Sequence, residues 1–197
     1  ASSILALASF YLLTAASGSA EMSLVYPVAR GMAPVIVLIV SIAFGVTFHP
    51  WQIAGVALVG GGVMLVRGMR GGARWSDVIL ALAVATSIAG YTLVDKQGVR
   101  YADPATYLFL ILIAPAVGGV LFVAARGGWT RIRDAINWQA IAAGIGTTAT
   151  YTLVLVALSL APAASVAAVR EVSVVFAVFL GAVFLKEKVG PSRWIGA

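Results

Sequence analysis

Residues 104–125 read PATYLFLILIAPAVGGVLFVAA, a run of 22 residues without a charged side chain. An α-helix rises 1.5 Å per residue, so it needs about 20 apolar residues to cross the roughly 30 Å hydrocarbon layer of a bilayer. The hydrocarbon layer offers no hydrogen-bond partners, so the backbone N–H and C=O groups of a spanning segment must bond to each other. A helix satisfies these groups within one segment. The run shows no strand-like alternation of apolar and polar residues. It therefore predicts a transmembrane helix.

The composition extends this prediction to the whole chain. Of 197 residues, 61% are hydrophobic and 10% are charged, and the mean hydropathy is +1.03. A soluble domain has about 25% charged residues, so a soluble, disordered or disulfide-rich secreted protein is excluded. The chain has no cysteine and one histidine, His49, which we expect in a solvated loop. Thiolate and multi-histidine metal sites and a Ser-His triad are thereby excluded, and neither a metal nor a cofactor is predicted.

Seven apolar segments divide the chain, and short connections with glycine, proline or aspartate separate them. The segments cover residues 2–18, 22–45, 51–67, 77–95, 104–125, 137–160 and 163–185. No connection is long enough to hold a soluble catalytic or nucleic-acid-binding domain. The sequence predicts an all-α, polytopic transmembrane helix bundle with about seven spans, with the lipid bilayer and not nucleic acid as its partner.

The positive charges are distributed unequally between alternate connections. One set of connections holds nine lysines and arginines: Arg67, Arg70, Arg74, Arg126, Arg131, Arg133, Lys186, Lys188 and Arg193. The other set holds two, Lys96 and Arg100. By the positive-inside rule, the loops near Arg70, Arg131 and Lys188 are cytoplasmic, and those near His49 and Arg100 are external.

Two parts of the chain match each other at a distance of 140 positions. Tyr11 aligns with Tyr151 and Arg30 aligns with Arg170. The arginine pair is the informative match, because arginine is rare inside membrane spans. An odd number of crossings separates the two copies, so the second enters the membrane from the opposite face. This is the pattern of an inverted repeat.

Three stretches resemble the EamA type of the drug/metabolite transporter superfamily. They are VYPVARGMAP at 25–34, YTLVD at 91–95 followed by GVR at 98–100, and AVREVSVVF at 168–176 followed by LKEK at 185–188. The resemblance implies two inverted five-helix repeats around a central cavity, truncated at both ends. The chain then covers spans three to nine and the start of span ten. Residues 1–70 are the C-terminal part of the first repeat, and residues 71–197 are the second repeat without its last span.

Arg30 and Arg170 lie about seven or eight residues inside their predicted helices. A charged side chain at this depth costs roughly 2.5–3.5 kcal/mol on insertion scales, so it needs compensation and usually has a function. Two guanidinium groups entering from opposite faces frame a central site for an anionic or carboxylate-bearing solute. The structural alternatives are that Arg170 pairs with Glu171 or caps carbonyl groups, and that Arg30 extends to the interface.

Glu171 is interpreted as the only acid deep in a span. It is a candidate proton-coupling group or the partner that holds Arg170, although adjacent residues on a helix do not face each other. Glu21 and Asp95 lie near helix ends, where solvation is cheap, and we expect no site role for them. Glycines 55, 60, 61 and 62 predict close helix packing.

The faces that carry the arginines supply the remaining candidates. Tyr26 lies one turn before Arg30, and Ser173 lies one turn after Arg170, so both are substrate-binding candidates. Pro27 and Pro34 are expected to kink their helix. Thr148 and Tyr151 belong to a polar cluster that lines the cavity or packs helices together, and both readings stay open.

The function predicted from these features and the resemblance is secondary transport, not enzymatic catalysis. The transported solute is a small polar metabolite, with an anionic metabolite as an option, and it crosses by alternating access. Proton coupling is a further option, and no oligomeric state is predicted. The resemblance implies a multi-pass protein of the bacterial inner membrane. A structural membrane subunit and a flippase for anionic lipids are the alternatives.

Overall fold

The computed structural model describes residues 2–19, 22–67, 75–173 and 176. Every regular element within these ranges is an α-helix. The helices are α1 Ser2–Ser19, α2 Met22–Ala43, α3 Pro50–Arg67, α4 Trp75–Gly98, α5 Pro104–Ala135, α6 Trp138–Leu160 and α7 Ala163–Arg170. The predicted all-α bundle is confirmed, and each helix begins within two residues of its predicted start.

Two of these starts have side-chain caps that the sequence encodes. The Asp103 carboxylate accepts hydrogen bonds from the backbone N–H groups of Ala105 and Thr106, and Pro104 occupies the first helical position. The hydrogen bonds from Thr106 hold the pKa of Asp103 below its ordinary value. Asn137 accepts a hydrogen bond from the N–H of Ala140 at the start of α6. Caps of this kind satisfy N–H groups that have no partner within the helix.

The predicted loop at 125–137 is wrong. Helix α5 continues to Ala135, and only Ile136 and Asn137 separate it from α6. A glycine inside a helix costs only about 1 kcal/mol, so Gly127 and Gly128 do not end it. The 32 residues of α5 span roughly 48 Å at the usual rise, so its basic end extends beyond the thickness of a hydrocarbon layer.

The last predicted segment, 163–185, also differs from the structure. Helix α7 ends at Arg170, and Glu171 forms a turn in which its N–H donates to the Ala168 carbonyl at 3.0 Å. Val172, Ser173 and Phe176 are helical again beyond this turn. Residues 177–185 of that segment lie outside the described ranges, as do the loops near Arg70 and Lys188 and the residue Glu21. Glu171 therefore lies at an interruption of the helix and not inside a continuous one.

Helices α2 and α4 form the centre of the described bundle. Helix α2 packs against α1, α3, α4 and α7, and α4 also contacts α1, α6 and α7. Helices α2 and α3 approach closely at Gly60, where a Cβ atom would lie 3.2 Å from the Gly31 carbonyl oxygen and 3.0 Å from Val35 Cγ2. The predicted packing role is thus confirmed for Gly60, whereas Gly55 and Gly61 have no neighbour within 4 Å of that position.

Three of the described helices are long and apolar enough to cross a membrane: Trp75–Gly98, Pro104–Ala125 and Trp138–Leu160. A shorter apolar helical stretch covers Val28–Ala43. Their outward faces carry large exposed apolar side chains, such as Phe109, Leu121 and Leu153. Such a surface suits lipid and not water.

Three connections meet at one end of the bundle. A cavity of about 600 Å³ at this end is lined by Phe44, Phe48, Arg100, Ala161 and Pro162, which belong to the connections α2–α3, α4–α5 and α6–α7. The predicted alternation places these connections on the same side, and the geometry agrees. His49, in the first of them, is exposed as expected.

Candidate functional site

The two central helices and α7 bring charged side chains together inside the bundle. The Arg30 guanidinium of α2 donates from Nε to Glu171 Oε2 at 3.1 Å and from a terminal nitrogen to Ser173 Oγ at 3.2 Å. Glu171 is 8% exposed and Arg30 is 25% exposed. Arg30, Glu171 and Ser173, all predicted from sequence, thus form one cluster. The alternative in which Glu171 pairs with its neighbour Arg170 is wrong.

Arg170 faces a cavity beside this cluster. The cavity has a volume of about 170 Å³ and lies between α2, α4 and α7; we call it the arginine cavity. Its wall is formed by Arg30, Ala33, Pro34, Val37, Ile88, Tyr91, Thr92, Ala167, Arg170 and Glu171. Within the part of the chain that the structure describes, the Arg170 guanidinium forms no hydrogen bond or ion pair. Two arginines and one glutamate give this wall a formal charge of +1.

Pro34 adds a polar backbone group to the same region. Proline has no N–H, so no helical hydrogen bond runs from residue 34 back to the carbonyl of Arg30. Helix α2 nevertheless continues through both Pro27 and Pro34 to Ala43. The kink expected at these prolines stays a prediction, and the side chains of Tyr26 and Pro27 lie outside the described part of the structure.

The two remaining candidates, Thr148 and Tyr151, do not line the arginine cavity. Both line a second cavity of about 340 Å³ between α1, α4, α5 and α6, which we call the side cavity. Tyr91 and Ile88 of α4 line both cavities, so only this helix separates them. The Thr148 side chain is exposed, and its carbonyl accepts a hydrogen bond from the Thr152 hydroxyl at 2.8 Å.

Tyr151 instead belongs to a cluster centred on Asp95. Asp95 is 1% exposed, and its carboxylate accepts hydrogen bonds from three hydroxyl groups. Ser2 of α1 and Tyr107 of α5 donate to Oδ1, the latter at 3.0 Å, and Tyr151 of α6 donates to Oδ2 at 2.5 Å. The expectation that Asp95 is solvated near a helix end is therefore wrong, and so is the reading of Glu171 as the only deeply buried acid.

The reason for this error is that depth along a helix says nothing about lateral burial. Asp95 is three residues from the end of α4, but α1, α5 and α6 surround it. The sequence did contain a signal, because Tyr107 and Tyr151 stand in apolar runs, and a buried tyrosine hydroxyl needs a polar partner.

Gly98 makes part of this cluster possible. A Cβ atom at position 98 would overlap the ring of Tyr107. The missing side chain lets the phenol pass over α4 and reach Asp95 one turn earlier. Lys96, beside Asp95 in sequence, points to α6 and donates from Nζ to the carbonyls of Leu158 at 2.6 Å and Ala161 at 3.0 Å. These carbonyls belong to the helix end, where no intrahelical donor remains.

The arginine cavity carries guanidinium groups, whose chemistry suits an anion. A guanidinium group presents several donors in a fixed plane and binds carboxylate or phosphate with two parallel hydrogen bonds. Among the described residues, no group of three histidine, aspartate or glutamate side chains is arranged to hold a metal ion.

Comparison with known proteins gives one match. The family profile described as the EamA-like transporter family matches residues 75–197, which is more than half of the chain and includes α4, Arg170 and Glu171. No curated protein and no solved structure matches the chain significantly.

Proposed function

We propose, from the premise that the chain belongs to the EamA-like transporter family, that it moves a small anionic solute by alternating access. The family makes the protein an integral membrane transporter of the drug/metabolite type, and members of such a family are not enzymes. Its surroundings are therefore the lipid bilayer, and its cargo is a small molecule. The anionic character of the cargo is the part that this chain's own residues support.

The proposal rests on the observation that the two inserted arginines differ in their partners. Glu171 compensates Arg30 through the ion pair, whereas Arg170 faces the arginine cavity without a carboxylate partner in the described structure. Arg170 is partly buried, and a charge that is shielded from water is costly when it has no partner. A carboxylate or phosphate group of the solute would supply the missing negative charge and bind the Arg170 guanidinium in two places.

The size of the arginine cavity suits one functional group better than a whole metabolite. Its volume of about 170 Å³ is below the roughly 300–1,000 Å³ of sites that enclose a drug-sized ligand. We therefore assign it the anionic group of the solute. Ala33, Val37 and Ala167 make part of the wall apolar, and a low-dielectric wall strengthens electrostatic attraction.

Alternating access fits the interrupted helix beside the site. In transporters built from inverted repeats, the solute site lies near discontinuous helices at the repeat interface. Arg170 and Glu171 lie where regular helix ends in α7, and they face α2. The inverted relation between the repeats at 1–70 and 71–197 remains part of this proposal. So do the bacterial inner membrane and the cytoplasmic placement of the loops near Arg70, Arg131 and Lys188.

Uptake into proteoliposomes tests the proposal. The purified protein is reconstituted and assayed with radiolabelled phosphate, pyruvate, malate and glutamate, and with uncharged glutamine as a neutral control. We expect saturable uptake of at least one anion and its loss in Arg170→Gln. Arg133→Gln, which removes an exposed arginine at the end of α5, should transport normally.

The alternatives predict other results in the same vesicles. A structural subunit gives no uptake of any probe, and this result would overturn the proposal. A flippase for anionic lipids gives no uptake but scrambles a fluorescent phosphatidylglycerol in an Arg170-dependent way, which would also overturn it. Equal uptake of glutamate and glutamine would contradict a site that selects negative charge.

A further inference from the structure

The Asp95 cluster has no role in the anion site, yet it buries a carboxylate completely. Ser2, Tyr107 and Tyr151 contact Asp95 through hydroxyl groups that belong to three different helices. In the part of the chain that the structure describes, no lysine or arginine forms an ion pair with it. A buried carboxylate held by hydroxyl groups alone is rare among structural acids, which are usually paired with a cation.

We propose that Asp95, and not Glu171, is the carboxyl group that binds and releases a proton during transport. This inference rests on the proposed transport function, because it names the coupling ion and its binding site. The proton moves from a water molecule to one carboxylate oxygen of Asp95 and returns to water after the bundle has changed its accessible side. No other bond changes.

The chemistry of the partners distinguishes the two acids. A hydroxyl group is both a donor and an acceptor, whereas a guanidinium group only donates. When Asp95 is ionised, Tyr151 donates to Oδ2; when Oδ2 carries the proton, the Tyr151 hydroxyl turns and accepts. The cluster is therefore satisfied in both protonation states. Protonation of Glu171 would instead remove the negative charge that pairs with Arg30, so a proton at this residue costs the ion pair between α2 and the end of α7.

The proton also has a route to Asp95. Ser2 and Tyr151, which bond to the carboxylate, line the side cavity of about 340 Å³. The hydroxyl groups of Ser2 and Tyr151 therefore connect the carboxylate with this cavity, and a hydroxyl group can pass a proton onward. Asp95 itself, at 1% exposure, is shielded from bulk water.

Helix α4 connects this cluster with the arginine cavity. Tyr91 and Thr92, one turn before Asp95, line the arginine cavity, and Tyr91 lines the side cavity as well. Hydrogen bonds to an ionised acceptor are roughly twice as strong as those to a neutral one. Protonation of Asp95 thus weakens its hydrogen bonds to residues of α1, α5 and α6, whereas α4 stays beside the bound anion.

Other charged or titratable groups near Asp95 are engaged elsewhere. Lys96 of α4 donates to carbonyls at the end of α6. At the end of α7, Arg170 and Glu171 line the arginine cavity, as does Arg30 of α2. The charge of Arg170 also acts on Tyr151. The groups that meet Asp95 directly from α5 and α6 are the phenols of Tyr107 and Tyr151. On α1, the contacting residue is Ser2, which does not titrate in the accessible range.

Infrared difference spectroscopy tests the assignment without a known solute. Spectra of the purified protein in lipid are recorded between pH 8 and pH 5, and the carbonyl stretch of protonated carboxyl groups is followed. We expect a band from a buried carboxyl group in the wild type and in Glu171→Gln, and its loss in Asp95→Asn. Tyr151→Phe keeps the carboxyl group but removes one hydrogen bond, so the band should move to higher frequency.

Four outcomes would overturn this assignment. A band that persists in Asp95→Asn, or that disappears in Glu171→Gln, overturns the assignment. If Asp95→Asn does not fold, an unmoved band in Tyr151→Phe overturns it. Suppression of the band by 100 mM sodium at fixed pH, compared with choline, would identify a metal-cation site and also overturn it. The spectra do not depend on transport, so failure of the anion proposal leaves this measurement interpretable.

Discussion

Arg30 and Glu171, separated by 141 positions in the sequence, form an ion pair with 3.1 Å between Nε and Oε2. The pair joins α2 to the end of α7 and fixes the wall of the arginine cavity. Because the pair uses the carboxylate of Glu171, we propose that Arg170 is available to the solute. The account of function depends on this division of roles between two arginines.

A double-mutant cycle measures how strongly the pair acts. Arg30→Gln and Glu171→Gln should each lower the free energy of unfolding, by roughly 1–3 kcal/mol, because each leaves the partner charge without its counterion. The double variant should lose less than the sum, with a coupling of about 0.5–3 kcal/mol. Chemical unfolding in detergent micelles provides the values. Strictly additive losses would show that the two side chains do not interact.

The contact between α2 and α3 gives a matched pair of glycine variants. Gly60→Ala places a methyl group 3.0 Å from Val35 Cγ2 and 3.2 Å from the Gly31 carbonyl oxygen, whereas Gly61→Ala meets nothing within 4 Å. We expect Gly60→Ala to destabilise the protein by about 1–3 kcal/mol through overpacking. Gly61→Ala should be neutral or slightly stabilising, since alanine is the better helix former. Thermal unfolding of both variants checks this, and equal melting temperatures would refute the close contact.

Lys96 should stabilise the end of α6. Lys96→Met removes the donor to the carbonyls of Leu158 and Ala161, and we expect a loss of about 1–3 kcal/mol. Lys96→Arg keeps donors at this place and should recover part of the loss. Arg100→Met removes an exposed charge at the same end of the bundle and serves as the control. A loss in Arg100→Met as large as in Lys96→Met would indicate a general charge effect and not a cap.

The natural absence of cysteine allows a direct test of orientation. A single cysteine in place of His49 or Arg133, both exposed, is treated in whole cells with a membrane-impermeant maleimide. The charge distribution predicts that the His49→Cys variant reacts from outside and that the Arg133→Cys variant reacts only after the cells are opened. The reverse pattern would invert the topology. Labelling of both sites from outside would contradict the alternation itself.

Much of the fold follows from the sequence because membrane spans are encoded locally. Apolar runs set the length of each helix, and Asp103 and Asn137 mark two of the starts. The end of α5 was missed because basic residues and glycines indicate a loop, although a helix tolerates both once it leaves the lipid. The turn at Glu171 has no clear local signal, because no glycine or proline lies near it and mainly alanine and valine precede it and mainly valine follows it.

The candidate site was predictable only in part, for a related reason. Arg30, Arg170 and Glu171 attract notice individually, since ionised groups are costly in a span. Their pairing depends on how α2 and α7 pack, and from the sequence a pair between Arg170 and Glu171 was one structural alternative. Asp95 was missed because its burial comes from Ser2, Tyr107 and Tyr151, which lie 93, 12 and 56 positions away.

The recognition of an anion by Arg170 is tested most directly by ligand-induced stabilisation of the purified protein. Thermal unfolding is followed with phosphate, pyruvate, malate, glutamate and neutral glutamine, for the wild type, Arg170→Gln and Arg133→Gln. A ligand at 100 times its dissociation constant stabilises the folded state by about 2.7 kcal/mol. The loss of one charged hydrogen bond, about 1.5–3 kcal/mol, weakens binding roughly 10- to 150-fold.

We predict that at least one anion raises the melting temperature of the wild type and of Arg133→Gln, that glutamine does not, and that Arg170→Gln loses the effect. If Arg170→Gln folds and is stabilised by the same anion to the same extent as the wild type, Arg170 does not bind the anionic group and the central claim is wrong.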